Sequence, residues 1–315
     1  MKAKHVIIYL LLVIVTSSCI RDEAPNAEAD ILSCRLPGIT MTTSPIINNN
    51  SVTLFVTPGT NISALAPEFT LTSGATITPA SGTERNFNSP QEYQVTAADG
   101  IWKKTYAISV IDTELATIYN FEDTISGKKY YIFVERENDK VIMEWASGNA
   151  GYAMTGVAKT ADDYPTFQIA NGKNGKCLSL VTRSTGFFGG LVGMPIAAGN
   201  LFIGSFDVNN AMSNPLQATK FGLPFRHVPT YLAGYYKYKA GDQFTEGGKP
   251  VEGKHDICDI YAIMYETSVS VPTLDGTNAF TSPNLVSMAR IKDAKETDEW
   301  TYFKLPFTTL PGKFI

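Results

Sequence analysis

Short segments of alternating apolar and polar residues, each closed by a Gly, Pro or Asn turn, recur along most of this chain. That pattern constrains the fold more than any other feature. In Lys104-Thr105-Tyr106-Ala107-Ile108-Ser109-Val110 the alternation has the two-residue period of a strand. Asp99-Gly100 just before it reads as a hairpin turn, because glycine tolerates positive φ. Val52–Val56, Phe69–Thr72 and Tyr93–Thr96 repeat the pattern, so residues 31–112 are expected to form a small β-sandwich. Thr113–Ala116 is a short join. From residue 117 to 315 strands are expected at Ile118–Glu122, Tyr130–Glu135, Lys140–Trp145, Cys177–Thr182, Leu201–Phe206, Tyr231–Lys239, Ile257–Glu266, Val286–Ile291 and Thr301–Phe307. About eight antiparallel strands over ~200 residues fit a jelly-roll sandwich. No segment reads as a long amphipathic helix, so the chain is expected to be all-β.

The first residues carry a different signal. Lys2, Lys4 and His5 precede Val6–Val15, an unbroken apolar run of ten residues. A bilayer of ~30 Å needs ~20 helical residues, so this run suits a signal-peptide core rather than a transmembrane span. Small residues Thr16-Ser17-Ser18 then lead to Cys19, the order a lipoprotein signal peptidase requires. Residues 1–18 are therefore read as a lipoprotein signal peptide and Cys19 as the lipid-modified first residue. The lipid would be the only membrane anchor, and more than one acyl chain gives stable attachment. Residues 19–30 are polar, acidic and proline-containing, as a tether would be.

Charge and cysteine usage narrow the function. The chain has 26 basic and 30 acidic side chains; without Lys2 and Lys4 the count is 24 against 30, a formal net of −6. With no basic stripe, nothing suggests nucleic acid as a partner. Besides Cys19 there are Cys34, Cys177 and Cys258, so at most one disulfide can form. Cys177 and Cys258 are the pair within one expected domain, and two separate buried thiols are the equal alternative. No cysteine spacing, HxH or HExxH pattern reads as a metal site. There is no GxSxG elbow, P-loop or dinucleotide fingerprint.

Three resemblances add to this reading. Ile20-Arg21-Asp22-Glu23 resembles the acidic surface-export signal of lipoproteins in glycan-foraging Gram-negative bacteria. That implies an outer-membrane lipoprotein exposed at the cell surface, a periplasmic face being the alternative. The stretch 69–110 resembles an immunoglobulin-like module of bacterial surface lipoproteins, matched at Gly74-Ala75, Pro79 with Ser81-Gly82, Phe87 with Pro90, Tyr93–Thr96, Asp99-Gly100 and Lys103–Tyr106. It implies a spacer or display domain. Residues 221–242, FGLPFRHVPTYLAGYYKYKAGD, and 256–266, DICDIYAIMYE, resemble the putative carbohydrate metabolism domain family. Trp145 with Ser147 and Asn149, Gly175–Leu180, Ala198–Gly204, Trp300-Thr301 and Pro306-Phe307 support the match. The resemblance implies a jelly-roll like that of carbohydrate-binding modules. Members of that family usually continue past the strand at Trp300–Phe307, so a shortened chain or a sandwich lacking an edge is expected; an open edge invites association.

Candidate site residues follow from chemistry. Alternation in 231–239 puts Leu232, Gly234, Tyr236 and Tyr238 on one face, and Tyr231, Ala233, Tyr235, Lys237 and Lys239 on the other. Aromatic rings stack on the apolar face of a pyranose while hydroxyls need polar neighbours. Trp145, Tyr236 and Tyr238 are the aromatic candidates for ligand contact; for the strand 231–239, ordinary sandwich core plus solvated surface is the alternative. Arg226 is the candidate for forked bonds to a carboxylate or vicinal hydroxyls, with an internal ion pair to Asp256 or Asp259 as its alternative. Asp259 and Glu266 are seven apart and fall on opposite strand faces, against a glycosidase pair, whose carboxyls flank one bond at ~5–9.5 Å. Glu122, Glu144 and Asp207 lie on different strands, where sequence cannot pair them. Glu122 is also a candidate ligand of a structural calcium; no other cofactor is expected.

The sequence thus predicts an immunoglobulin-like β-sandwich followed by a jelly-roll β-sandwich, in a surface lipoprotein binding a glycan or glycoconjugate in a carbohydrate-uptake setting. An outer-membrane uptake complex is the expected partner. A glycoside hydrolase or lyase, and a structural adhesin or fimbria-like subunit, are the alternatives.

Overall fold

The computed structural model describes residues 26–268 and 270–314. The signal peptide, Cys19 and most of the tether lie outside the described residues. The first unit contains β1 (Ile31–Arg35), β2 (Ile46–Ile47), β3 (Ser51–Phe55), β4 (Glu68–Leu71), β5 (Thr76–Thr78), β6 (Gln91–Thr96) and β7 (Lys103–Ile111). One sheet has the order β2-β3-β7-β6-β5, and β1 pairs with β4 in a second. β3 and β7 run parallel, with Val52 opposite Ile108 and Leu54 opposite Val110. The alternation of β7 becomes burial of Tyr106, Ile108 and Val110 against Val52, Leu54, Tyr93, Val95 and Phe87. Cys34 of β1 is buried in this core, and burial pushes its thiol up to about 12. Asp99-Gly100 makes the expected turn, Gly100 standing at φ 70°.

The second unit opens with β8 (Val134–Glu137), β9 (Lys140–Ala146), β10 (Thr166–Ile169), β11 (Cys177–Leu180), β12 (Arg183–Ser184), β13 (Ile196–Ala197), β14 (Phe202–Phe206) and β15 (Thr219–Phe221). It continues with β16 (Tyr231–Tyr238), β17 (Thr245–Glu246), β18 (Lys249–Pro250), β19 (Tyr261–Tyr265), β20 (Leu285–Arg290), β21 (Thr297–Pro306) and β22 (Thr308–Thr309). A four-stranded sheet has the order β15-β14-β9-β8; β19-β20-β22 and β16-β21 form two further sheets. Among the described residues helix is confined to short segments, of which Gly186–Leu191 is the longest. The chain is all-β, as expected. No helix among the described residues is long and apolar enough to cross a membrane.

Two expectations differ from the structure. Ile118–Glu122 is not a strand. Phe121 sits at φ 57°, a left-handed conformation that breaks an extended run. The side-chain amide of Gln168 holds this kink by donating to the carbonyls of Phe121 (2.7 Å) and Glu122 (3.0 Å). β10 and β15 carry no clear alternation in sequence and exist through their partners: Thr166 pairs with Leu180, and Lys220 with Ser205. Cys34, Cys177 and Cys258 are all free thiols; Cys177 and Cys258 are unpaired but half-buried rather than buried.

Candidate functional site

The structure divides the sequence-predicted contacts rather than gathering them. Trp145 of β9 is half-buried between aromatic rings, edge-on to Tyr119 at 5.0 Å and tilted against Phe121 at 5.5 Å. Its indole N–H donates to Glu135 Oε1 at 2.8 Å. Arg226 is exposed in the loop before β16, where its neighbour His227 pairs with Glu114 of the join (Nε2 to Oε2, 2.7 Å). The alternative partners expected for Arg226 are not taken up: Asp259 binds Arg290 through two bonds of 3.0 and 2.7 Å. Trp145 and Arg226 both line a gap between the two units, of about 2750 Å³. Ligand pockets usually enclose ~300–1,000 Å³, so this is an open gap rather than a formed pocket.

Tyr236 and Tyr238 line a different place. β16 alternates exposed and half-buried along its length, and both residues are on its half-buried face. The Tyr236 hydroxyl donates to the Lys295 carbonyl (3.3 Å) and accepts from the Lys295 N–H (3.2 Å), fixing the chain before β21. The Tyr238 hydroxyl is enclosed without a partner; burial first, then the charge of Asp256, pushes it up to about 12.

The opposite face of the same strand pair is the better platform. Antiparallel register sets Tyr235 against Tyr302, Ala233 against Lys304, and Tyr231 against Pro306. Directly opposed residues share a face, so Tyr231, Tyr235, Tyr302 and Lys304 project together. Tyr231, Tyr235 and Tyr302 are 51%, 47% and 55% exposed, and the last two rings lie 5.2 Å apart. Lys173, from the turn between β10 and β11, places its ammonium 4.2 Å from the Tyr235 ring centre. Sequence reasoning divided these faces correctly but put its candidates on the wrong one for solvent access. The available signal was charge: the face with Lys237 is the one water reaches.

The acids do not assemble a hydrolytic pair. Glu122 Oε1 accepts from Lys176 N–H (2.9 Å) and steadies the Asn174-Gly175 turn. Gly175 stands at φ 66°, and any side chain there would run into Glu122. Asp207 caps the following turn, accepting from Asn209 N–H (3.0 Å) and the Asn210 amide (2.6 Å). Glu144 borders the gap, its carboxyl raised by desolvation against the opposing pull of Lys128. Glu135 is raised for the same reason, offset by Trp145. In the β8–β9 register Glu144 is opposite Val134 and Glu135 opposite Met143, so the two carboxyls point to opposite faces. Among the described residues no group of three or more His, Cys, Asp or Glu could hold a metal ion.

Several family-motif residues prove to be folding residues. The buried Asn149 side chain donates to the Thr166 carbonyl (2.7 Å) and accepts from the Thr166 N–H (3.1 Å). The Thr166 hydroxyl donates to the Asn200 carbonyl (2.8 Å) and accepts from the Asn200 N–H (3.1 Å). Asn200 Oδ1 in turn accepts from Gly148 N–H (2.8 Å). The loop after β9, the start of β10 and the segment before β14 are thereby joined.

The fold is an all-β sandwich, and the family matches make it that of a carbohydrate-related protein. Residues 120–315 match the family model of the putative carbohydrate metabolism domain, and the chain belongs to that family. Residues 31–110 match the N-terminal domain of surface glycan-binding proteins. A crystal structure from Bacteroides thetaiotaomicron, described as a putative glycoside hydrolase, is 84% identical with TM-score 0.90, covering 94% of this chain and 86% of that one. A second, from Bacteroides vulgatus and described in the same words, is 48% identical with TM-score 0.58, over 62% of this chain and 80% of that one. No curated protein matches the chain.

Proposed function

We propose that this protein is a noncatalytic glycan-binding protein, and that the outer face of β16–β21 is its binding surface. The observation that carries this reading is the exposed row of Tyr231, Tyr235 and Tyr302 on one rigid strand pair. Rings held side by side on strands stack on successive sugars without a loop having to be ordered. The contact set therefore shifts from Tyr236 and Tyr238 to the residues alternating with them. The test is a glycan-array screen of residues 20–315, with and without calcium, followed by titration of any glycan bound. Tyr235→Ala with Tyr302→Ala is expected to weaken binding at least about tenfold, since buried aromatic anchors each contribute more than ~1 kcal/mol. Tyr236→Phe, on the other face, should leave affinity unchanged. Full affinity in the double variant would sink the assignment.

The hydrolase reading rests on one observation, the Glu144 carboxyl exposed on β9 at the edge of the gap. It requires that the bound glycan be shortened during incubation and that Glu144→Gln stop this. Unchanged glycan leaves binding as the function.

Export and anchoring follow from the N-terminal residues. Cys19 carries the lipid, residues 20–30 tether the protein to the outer membrane, and the binding unit faces the medium beside an uptake complex. Cells fed a radiolabelled fatty acid should label the wild-type protein, and Cys19→Ala should be unlabelled. Label retained in that variant would refute the lipoprotein assignment.

A further inference from the structure

Three lysines also stand over rings of the β16–β21 pair. Lys173 stands over Tyr235 at 4.2 Å, Lys304 over Tyr231 at 4.0 Å, and Lys237 over Trp300 at 5.5 Å. None of these three lysines has a carboxylate within ion-pair distance among the described residues, whereas Lys104, Lys140, Lys220, Lys254 and Lys295 each do. Asp298 and Glu299, exposed at the start of β21, lie in the irregular segment across from Lys237 without pairing with it, so acids border the face at that end, and Glu296 is engaged by the Ala240 N–H at 2.7 Å. A chain of net charge −4 thus places three lysines over the rings of one strand pair. From Tyr231 to Lys237 the face runs ~20 Å, long enough for an oligosaccharide rather than a single sugar.

We propose that this face binds an anionic glycan, its pyranose rings stacking on Tyr231, Tyr235 and Tyr302 and its carboxylate or sulfate groups taken by Lys173, Lys237 and Lys304. This rests on the glycan-binding reading and specifies its ligand. A lysine held over a ring by cation–π attraction is loosely placed and compact, so it can swing to a ligand anion and free the ring for stacking. A neutral glycan would leave three ammoniums without partners; an anionic one uses rings and charges together.

The experiment titrates residues 20–315 with four probes: chondroitin sulfate, unsulfated chondroitin, polygalacturonate and neutral soluble starch, with polyphosphate as a control polyanion. At least one charged glycan is expected to bind, more weakly as salt rises, and starch and polyphosphate are expected not to. Chondroitin against its sulfated form separates carboxylate from sulfate recognition. Lys173→Gln with Lys237→Gln and Lys304→Gln should weaken binding about tenfold or more and flatten the salt dependence, at an unchanged thermal midpoint. Starch binding with no effect of the lysine changes would overturn this inference and leave the glycan reading standing. Equal binding of polyphosphate would overturn it as charge attraction without sugar recognition. No binding to any glycan would overturn both.

Discussion

Asn149→Ala is expected to lower the stability of the second unit by about 2–6 kcal/mol, because two buried backbone groups lose their partner at once. The Asn149 amide satisfies both the N–H and the carbonyl of Thr166, and both residues are buried, at 0% and 1% exposure. Water cannot replace an amide there without opening the joint. The ~1–3 kcal/mol cost of an orphaned buried group applies to each of the two atoms. The effect should not stop at β10, since Thr166 also holds Asn200 and Asn200 holds Gly148. Urea unfolding followed by tryptophan fluorescence in a Trp102→Phe, Trp300→Phe background reads the change, because the remaining indole, Trp145, lies in β9, just before the joint. A shift under ~0.5 kcal/mol, the range of ordinary surface substitutions, would mean that the network is not structural.

Ile108→Ala should act with similar size on the other unit. Ile108 is fully buried, opposite Val52 in the parallel pairing and Gln91 in the antiparallel one. Being central in the sheet, its surroundings cannot collapse without breaking ladders on both sides. Removing its three outer carbons costs transfer energy and leaves a cavity, together ~2–5 kcal/mol. For a unit of this size that lowers the midpoint by roughly 10 °C or more. Calorimetry is the suitable measurement, since a two-unit chain need not unfold in one step. The first-unit transition should move, while the second-unit transition and glycan binding stay in place below it. Loss of glycan binding in the folded Ile108→Ala protein would argue that the first unit contributes to the site.

The sequence by itself determined the all-β class, the hairpin turns and the division of each strand into two faces. Those are local properties: period-two alternation in β7 and β16, and the φ preferences of Gly100 and Gly175, act within a few residues. It also supplied the motif residues Trp145, Asn149 and Asn200. Their roles were out of reach, since Asn149 meets Thr166 across 17 residues and Asn200 meets Gly148 across 52. Only the tertiary structure decided which face of β16 meets water. That choice depends on what packs behind the strand, and it turned Tyr236 toward the Lys295 backbone and Tyr235 toward Tyr302. The tertiary structure likewise set Glu122 on a turn and Asp207 on a cap, and brought Lys173 from the β10–β11 turn to the rings that Lys237 of β16 and Lys304 of β21 also reach. Alternation fixes that two faces exist; burial by distant elements fixes which of them is free to bind.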